Sequence, residues 1–468
     1  MEQLTNPSNW AKESFGGAQL GDVRRTKRLV EVASSFAQHT GASIPAACGN
    51  GAAVEGAYRF ARNEAVEPTD IARAGFETTV KLMKKEKPRV LLAPEDSTVL
   101  SYAHDVDDLG DVGGPEGSTT QGIWVHSAIL VDPQTERTLG LVAQQRWVRD
   151  AKEYGKRHER KERPYEDKES FKWQRTAEEM RQVLGPEWMA RVIAVCDREG
   201  DVYPYFANKL KHGERFIVRA ESNRNVAEQE DANHLRDVLK AAPVLGTAHV
   251  KLPQRGGRPA RTAKLRLTSA TVELKRPNSL DAKYPRKLVV NAVLAEELKP
   301  PAADEPLNWM LLTTEPVESL VEVENVLKYY RMRWRIEVFH KAWKTGAGVE
   351  RQRLQTSENL ERIAVVLAFV AIRLIQLREL FEAGADVRCD QLLDKELWTL
   401  LWVGVKRTKP PRTPPSAEWA YHALARFAGW TDTKQTGRVG WDTLWKGWSR
   451  LQERYEGLQA YKQLQSFK

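Results

Sequence analysis

Tyr330, Arg333, Glu337, Lys341 and Lys344 stand at offsets 0, +3, +7, +11 and +14. At about 100° per residue, a helix carries all five on one narrow stripe, with Ile336, Phe339 and Trp343 on its other side. One carboxylate among four donors suits two adjoining tasks. The carboxylate can complete a metal site, and the arginine and lysines can hold phosphates beside it. A solvated helix face laced with ion pairs has the same composition, so Glu337 needs partners from elsewhere in the chain.

Two apolar runs supply them. PRVLLAPEDSTVLSY reads as a strand over Arg89 to Ala93 that ends near Glu95 and Asp96, and ARVIAVCDREGD as a second short strand that delivers Asp197. Active sites of α/β sheets gather beyond the C-terminal ends of strands. Hard cations such as Mg2+ take oxygen ligands, and few of them from the protein. Two metals about 3.5–4 Å apart can stabilise both the attacking and the leaving oxygen of a phosphodiester. Asp96, Asp197 and Glu337, drawn from three distant segments, are a minimal scaffold for two Mg2+ ions, with Mn2+ as a substitute. Strand-end Asp, strand-end Asp and helical Glu is the arrangement of ribonuclease-H-like nucleases. Glu199, two residues past Asp197, reads as a structural carboxylate. His126 reads as packed within a strand, and His340 borders the stripe, within reach of water activation or DNA contact.

The remaining elements must carry these groups. From Asn9 to Asn63, Leu29, Val30, Val32, Ala33 and Phe36 recur at helical spacing behind a basic stretch with Arg24, Arg25, Lys27 and Arg28; Arg59 and Arg62 flank Tyr58 and Phe60 further on. Arginines beside aromatics suit phosphate contact. Two strands, GIWVHSAILVD and RTLGLVAQQRWV, follow the first Asp, with a turn at Pro133 to Glu136. A lysine-rich loop is expected over Asp150 to Ser170, then a helix to Leu184. Residues 223–307 alternate basic and apolar side chains and read as a β insertion with a basic outer face. Helices are expected over Ser319 to Trp343 and Asn359 to Glu382. KRTKPPRTPPS, from Lys406 to Ser416, must be irregular, and Trp419 to Phe467 reads as helical, with five tryptophans to bury. The expected fold is α/β: a ribonuclease-H-like mixed-sheet core over 69–385, interrupted by the 223–307 insertion. A helical unit over 1–68, carrying the basic stretch, and a tryptophan-rich helical unit over 386–468 flank it.

Composition narrows the partners. A net charge of +9 on 468 residues favours a polyanion. Cys48, Cys196 and Cys389 are scattered, which speaks against a zinc site or a disulfide framework and fits a reducing cytoplasm. The N-terminus lacks a signal-peptide pattern. The longest apolar run, Ile363 to Ile372, is closed by Arg373 and is too short to span a bilayer.

YRMRWRIEVFHKAWKTGAGVERQR resembles the Y-(2)-R-(3)-E-(6)-K signature of bacterial DDE cut-and-paste transposases, with Tyr330, Arg333, Glu337 and Lys344 at its four positions. IAVCDREGD resembles that family's second-Asp block and APEDSTVLSY the first. EGAYRF, GIWVHS, GERFIVR, LTTEPVESL and the C-terminal TKQTG…W also match, so the resemblance covers almost the whole chain. It implies Asp96, Asp197 and Glu337 as the catalytic, metal-binding triad. It implies Tyr330, Arg333 and Lys344, helped by Lys341, as contacts to DNA near the cut. Trp309 takes the position that stacks a flipped-out base, Arg219 a DNA-contacting position, and Arg24, Arg25, Arg28 and Arg59 the end-recognition region. It further implies double-stranded DNA and a second copy of the chain as partners, in a bacterial cytoplasm and at the nucleoid when bound. No Met lies between Met1 and Met83, which puts in doubt the family's shortened inhibitor made from an internal start. Two alternatives stay open: a related nuclease that cuts without joining, and a non-catalytic DNA-binding regulator.

Overall fold

The computed structural model describes residues 6–112, 121–149, 163–229, 232–252, 260–301, 305–382, 387–433 and 439–467. Most of the lysine-rich loop, residues 434–437 of the TKQTG motif and the 385/386 boundary lie outside them.

The sheet is built outward from β1 (Leu91–Ser101). Beyond the short β2 (Gly110–Asp111), β3 (Gln121–Asp132) runs antiparallel to β1, and β4 (Arg137–Trp147) antiparallel to β3. On the other side of β1, β5 (Val192–Cys196) is parallel to it, and β6 (Arg215–Arg219) is parallel to β5. The order β4-β3-β1-β5-β6 joins three antiparallel strands to two parallel ones. That mixed layout is consistent with the expected ribonuclease-H-like core. The parallel strands are reached through the helices Lys172–Leu184 and Tyr203–Lys211, as parallel neighbours require.

β1 does not stop at Asp96. The apolar run ends where burial on both sides ends: the last β1–β5 pair is Pro94 with Val195, whereas β3 stays paired with β1 as far as Ser101. Apolar content marks only the part flanked on both edges.

The inserted strands widen the same sheet. After β6 come β7 (Asn225–Gln229), β8 (Ala232–His234), β9 (Val244–Leu252), β10 (Arg261–Lys275) and β11 (Lys287–Glu297). β12 (Asn308–Thr313) then returns to pair with both β11 and β6. Among the described residues the sheet has 12 strands.

Helix Ser357–Glu382 is buried on almost every side between Leu360 and Leu377, as a helix at the centre of a core must be. It holds the Ile363–Ile372 run, and among the described residues no helix is long and apolar enough to cross a membrane. The N-terminal helices Pro7–Phe15, Val23–Gln38, Gly51–Ala61 and Pro68–Glu86 gather on it. Phe369 meets Phe15 and Phe76 with ring centroids 5.6 and 5.9 Å apart. Buried arginines of the same helix close the seam. Arg362 donates to the carbonyls of Val66 at 2.7 Å and Ala61 at 3.1 Å, and Arg373 to that of Ala37 at 3.0 Å. Arg362→Met strips the first two carbonyls of a donor, at about 1–3 kcal/mol each. A loss of about 2–4 kcal/mol is expected, read as a lowered thermal midpoint; an unchanged midpoint would show that the seam does not depend on Arg362.

The C-terminal helices Lys395–Lys406, Ala417–Phe427 and Trp441–Ser466 bury Trp398, Trp441, Trp445 and Trp448. No helix or strand forms across the Pro-rich 407–416 stretch.

Candidate active site

Strand register brings the two aspartates together. Pro94 pairs with Val195, and Asp96 and Asp197 each lie two residues further on, close enough for the Asp197 charge to raise the Asp96 carboxyl. Asp197 follows β5 directly. Its Oδ1 accepts the amide of Glu199 at 2.9 Å, which caps the one-turn 3-10 helix Arg198–Gly200. Asp96 Oδ1 accepts the amide of Ser97 at 2.8 Å.

The third carboxylate arrives on a helix less regular than its spacing predicts. Leu320–Arg331 ends in a tight turn, with the Met332 and Arg333 amides reaching only three residues back, to Tyr329 and Tyr330, at 3.0 Å each. Trp334–Lys341 follows, then a π-helical turn over Ala342–Gly346. Tightening before Glu337 and widening after it divide the single stripe. Arg333 reaches Asp96 Oδ2 at 3.4 Å and Glu337 Oε1 at 2.5 Å. Tyr330 is buried and turns its ring edge to Trp309, centroids 5.4 Å apart. Arg219 donates to the Asn308 carbonyl beside them at 3.1 Å. Lys344 pairs with Glu350 at 3.5 Å, and Glu350 accepts the Ser101 amide at 3.0 Å, so this lysine is tied to the end of β1. Lys341 is exposed.

Charge at the site is lopsided. Burial raises the Asp96 carboxyl to about 6, and the neighbouring Asp197 adds to the rise; the Ser97 amide and Arg333 oppose it. Burial also lifts Asp197, with Glu199 adding, against the Glu199 amide, Arg333 and Lys172. An all-oxygen donor set with surplus negative charge fits a hard divalent cation in its chemistry. Among the described residues no three ligand groups close round one point, and Arg333 holds Glu337 and Asp96 in the present arrangement.

The histidines stand apart from this chemistry. His126 is fully buried, with its Nδ1 2.9 Å from the Ser97 hydroxyl, and burial holds its pKa well below the usual value. Burial brings His340 down to about 3. Both are therefore neutral at physiological pH.

In the N-terminal unit, Arg24 pairs with Asp22 at 2.8 Å and Arg59 with Glu55 at 2.8 Å, each on the surface. Arg28 pairs with Glu31 at 2.8 Å and lies against Gly56 of the next helix. Arg25 donates to the carbonyls of Leu20 at 2.9 Å and Ala65 at 3.2 Å, bracing the unit from within. Sequence reasoning singled out neither Glu350, which holds Lys344, nor Lys172, which pairs with Glu199 at 3.0 Å.

Residues 7–66 match the family model for transposase DNA-binding domains, and residues 169–373 the model for the transposase DDE domain. The second stretch contains Asp197, Tyr330, Arg333 and Glu337; Asp96 lies ahead of it. Among solved structures the chain is similar to a piggyBac transposase synaptic complex with hairpin DNA, seen by cryo-EM, at 12% identity and a TM-score of 0.31. The match covers 64% of this chain and 49% of that one, so the chain spans about half its length. A transposase DNA-binding domain followed by a transposase DDE domain makes this chain a DDE transposase.

Proposed function

We propose that the protein binds the ends of a bacterial transposable element, excises it through a hairpin, and joins its 3′ ends to target DNA. The observation that supports this reading is that Asp96 and Asp197 each lie two residues past the last β1–β5 pair, with Arg333 linking Asp96 to Glu337. Divalent cations held by these three carboxylates, two Mg2+ ions or Mn2+ in their place, would activate the attacking oxygen and stabilise the leaving one.

The chain's own groups bind and orient the DNA. Arg24, Arg28 and Arg59 face solvent on adjoining helices and suit phosphate contact along the end sequence, with Arg25 shaping the unit that presents them. Arg333, Lys341 and Lys344 hold the phosphates next to the scissile one. Trp309, backed by Tyr330 and Arg219, offers a ring for an extruded base; such stacking contributes about 1–3 kcal/mol, enough to keep a bent strand end in place. In the first step water breaks a phosphodiester and leaves a 3′-hydroxyl. That hydroxyl attacks the opposite strand to close a hairpin and release the flank. Water reopens the hairpin, and the freed 3′-hydroxyl attacks target DNA. We further assign the working form to a dimer built through the C-terminal unit, whose last helix exposes Tyr461 and Leu464, with Phe467 exposed just past its end.

The test is cleavage of linear DNA carrying the sequences that flank the gene, with Mg2+, read on a denaturing gel. Hairpin-ended fragments followed by joined products are expected. Nicks without joining would point to a nuclease alone, and a mobility shift without any cut to a DNA-binding regulator.

A further inference from the structure

Lys172 opens the helix Lys172–Leu184, which continues directly from the 3-10 turn Glu169–Phe171. A lysine at such a junction is ordinarily solvated. The Lys172 side chain is nevertheless only 8% exposed, and a buried ammonium keeps its charge only among partners. They are in place: the Glu199 carboxylate at 3.0 Å, and the rings of Trp173 and Trp147 at 5.7 and 6.0 Å from their centroids. Trp147 stacks on Trp124, centroids 6.2 Å apart, and Arg149 lies over the Trp124 ring at 3.9 Å. Gln145 fixes the backbone by donating to the Lys172 carbonyl at 2.9 Å. A slot made by β3, β4 and the helix start thus holds a buried cation in one position.

The far end of the ion pair shows what the slot serves. Glu199 belongs to the single 3-10 turn that follows Asp197, and its amide donates to Asp197 Oδ1 at 2.9 Å. Fixing the Glu199 side chain therefore fixes the turn that aims the Asp197 carboxylate.

We propose that Lys172 and Glu199 form a clamp that positions Asp197 for a divalent cation, Lys172 acting through Glu199 and not on the DNA. This rests on the reading of Asp197 as a metal ligand. A clamp differs from a field effect in sign. By charge alone, removing Lys172 tightens cation binding and removing Glu199 weakens it. As a clamp, losing either partner weakens it.

The experiment is Mn2+ binding to the full chain without DNA, followed by the paramagnetic resonance signal of the free ion. Lys172→Met and Glu199→Gln are each expected to raise Kd about 10-fold, the lower end of what partners behind a ligand contribute. The double variant should be no worse than the weaker single one, and Lys172→Arg should recover most of the affinity. Tighter or unchanged binding in Lys172→Met, with Asp197→Asn impaired, overturns the clamp and leaves Asp197 a ligand. Unchanged binding in Asp197→Asn overturns the ligand reading itself. Should Lys172→Met not fold, Glu199→Gln, its side chain being 62% exposed, decides by its salt dependence: a loss that persists at high ionic strength supports the clamp, and one that vanishes overturns it. A field effect fades as ionic strength rises, whereas a positional loss persists.

Discussion

Glu337→Gln is expected to lower the rate of end cleavage at least about 10^3-fold, well beyond the roughly 10- to 100-fold that changes behind a metal ligand produce. DNA binding should hold or tighten slightly. Glutamine keeps the shape and the carbonyl oxygen that Arg333 contacts, so the turn before the helix survives and the change removes only charge and metal affinity. One negative charge fewer beside a phosphate favours the complex. Single-turnover cleavage beside a mobility-shift titration separates the two effects. A fall of less than about tenfold would make the Arg333–Glu337 contact an ordinary helical ion pair, of the kind typically contributing about 0.3–0.5 kcal/mol.

The second large effect is on stability, and its sign is the reverse of what a ligand loss suggests. Asp96 has a carboxyl raised from 3.8 to about 6, chiefly by burial. The unfolded chain therefore loses this proton first. Between about pH 4 and 6 stability falls as pH rises, and above pH 6 the whole penalty stays. Two units correspond to roughly 2–3 kcal/mol. Asp96→Asn, whose amide oxygen still accepts from Ser97, should therefore stabilise the metal-free protein at pH 8 by on the order of 2 kcal/mol, with no gain below about pH 4. Adding Mg2+ should invert the order, because a cation that binds the folded state stabilises it and the asparagine variant holds it poorly. Thermal melts at pH 8 and pH 4, with chelator and with Mg2+, measure both. A variant less stable than the parent in chelator at pH 8 would mean that Asp96 is a structural partner of Arg333 first.

The legible part of this molecule was the part governed by period and burial. Leu91–Ala93 and Val192–Cys196 announce buried strands by apolar content alone, and each leads to its aspartate. The helix around Glu337 was legible as a helix but not in its path: nothing in the spacing of Tyr330 to Lys344 reveals a tight turn on one side of Glu337 and a π turn on the other. Those departures send Tyr330 to Trp309, Arg333 to Asp96 and Lys344 to Glu350. Glu95 marked a strand end only because a charged residue seldom enters a core; here it is fully buried in mid-strand, its carboxyl raised to about 8 by burial. The contact of Trp309 with Tyr330 depends on β12 returning beside β6, a long-range pairing that no local pattern encodes. Lys172 was passed over because a charged residue at a helix start is unremarkable until its burial is known.

That return of β12 also sets a timetable. Arg219, at the end of β6, meets Asn308, which follows it by 89 residues, and Glu337 comes later still. While the chain leaves the ribosome, the two aspartates can fold into place with no third carboxylate, and the outer edge of β6 stays bare until β12 has been made. An open strand edge invites pairing with other chains. Synthesis interrupted in that window leaves a fragment with an open strand edge and without Glu337, so on the proposed reading no cutting can begin before residue 337 has been made.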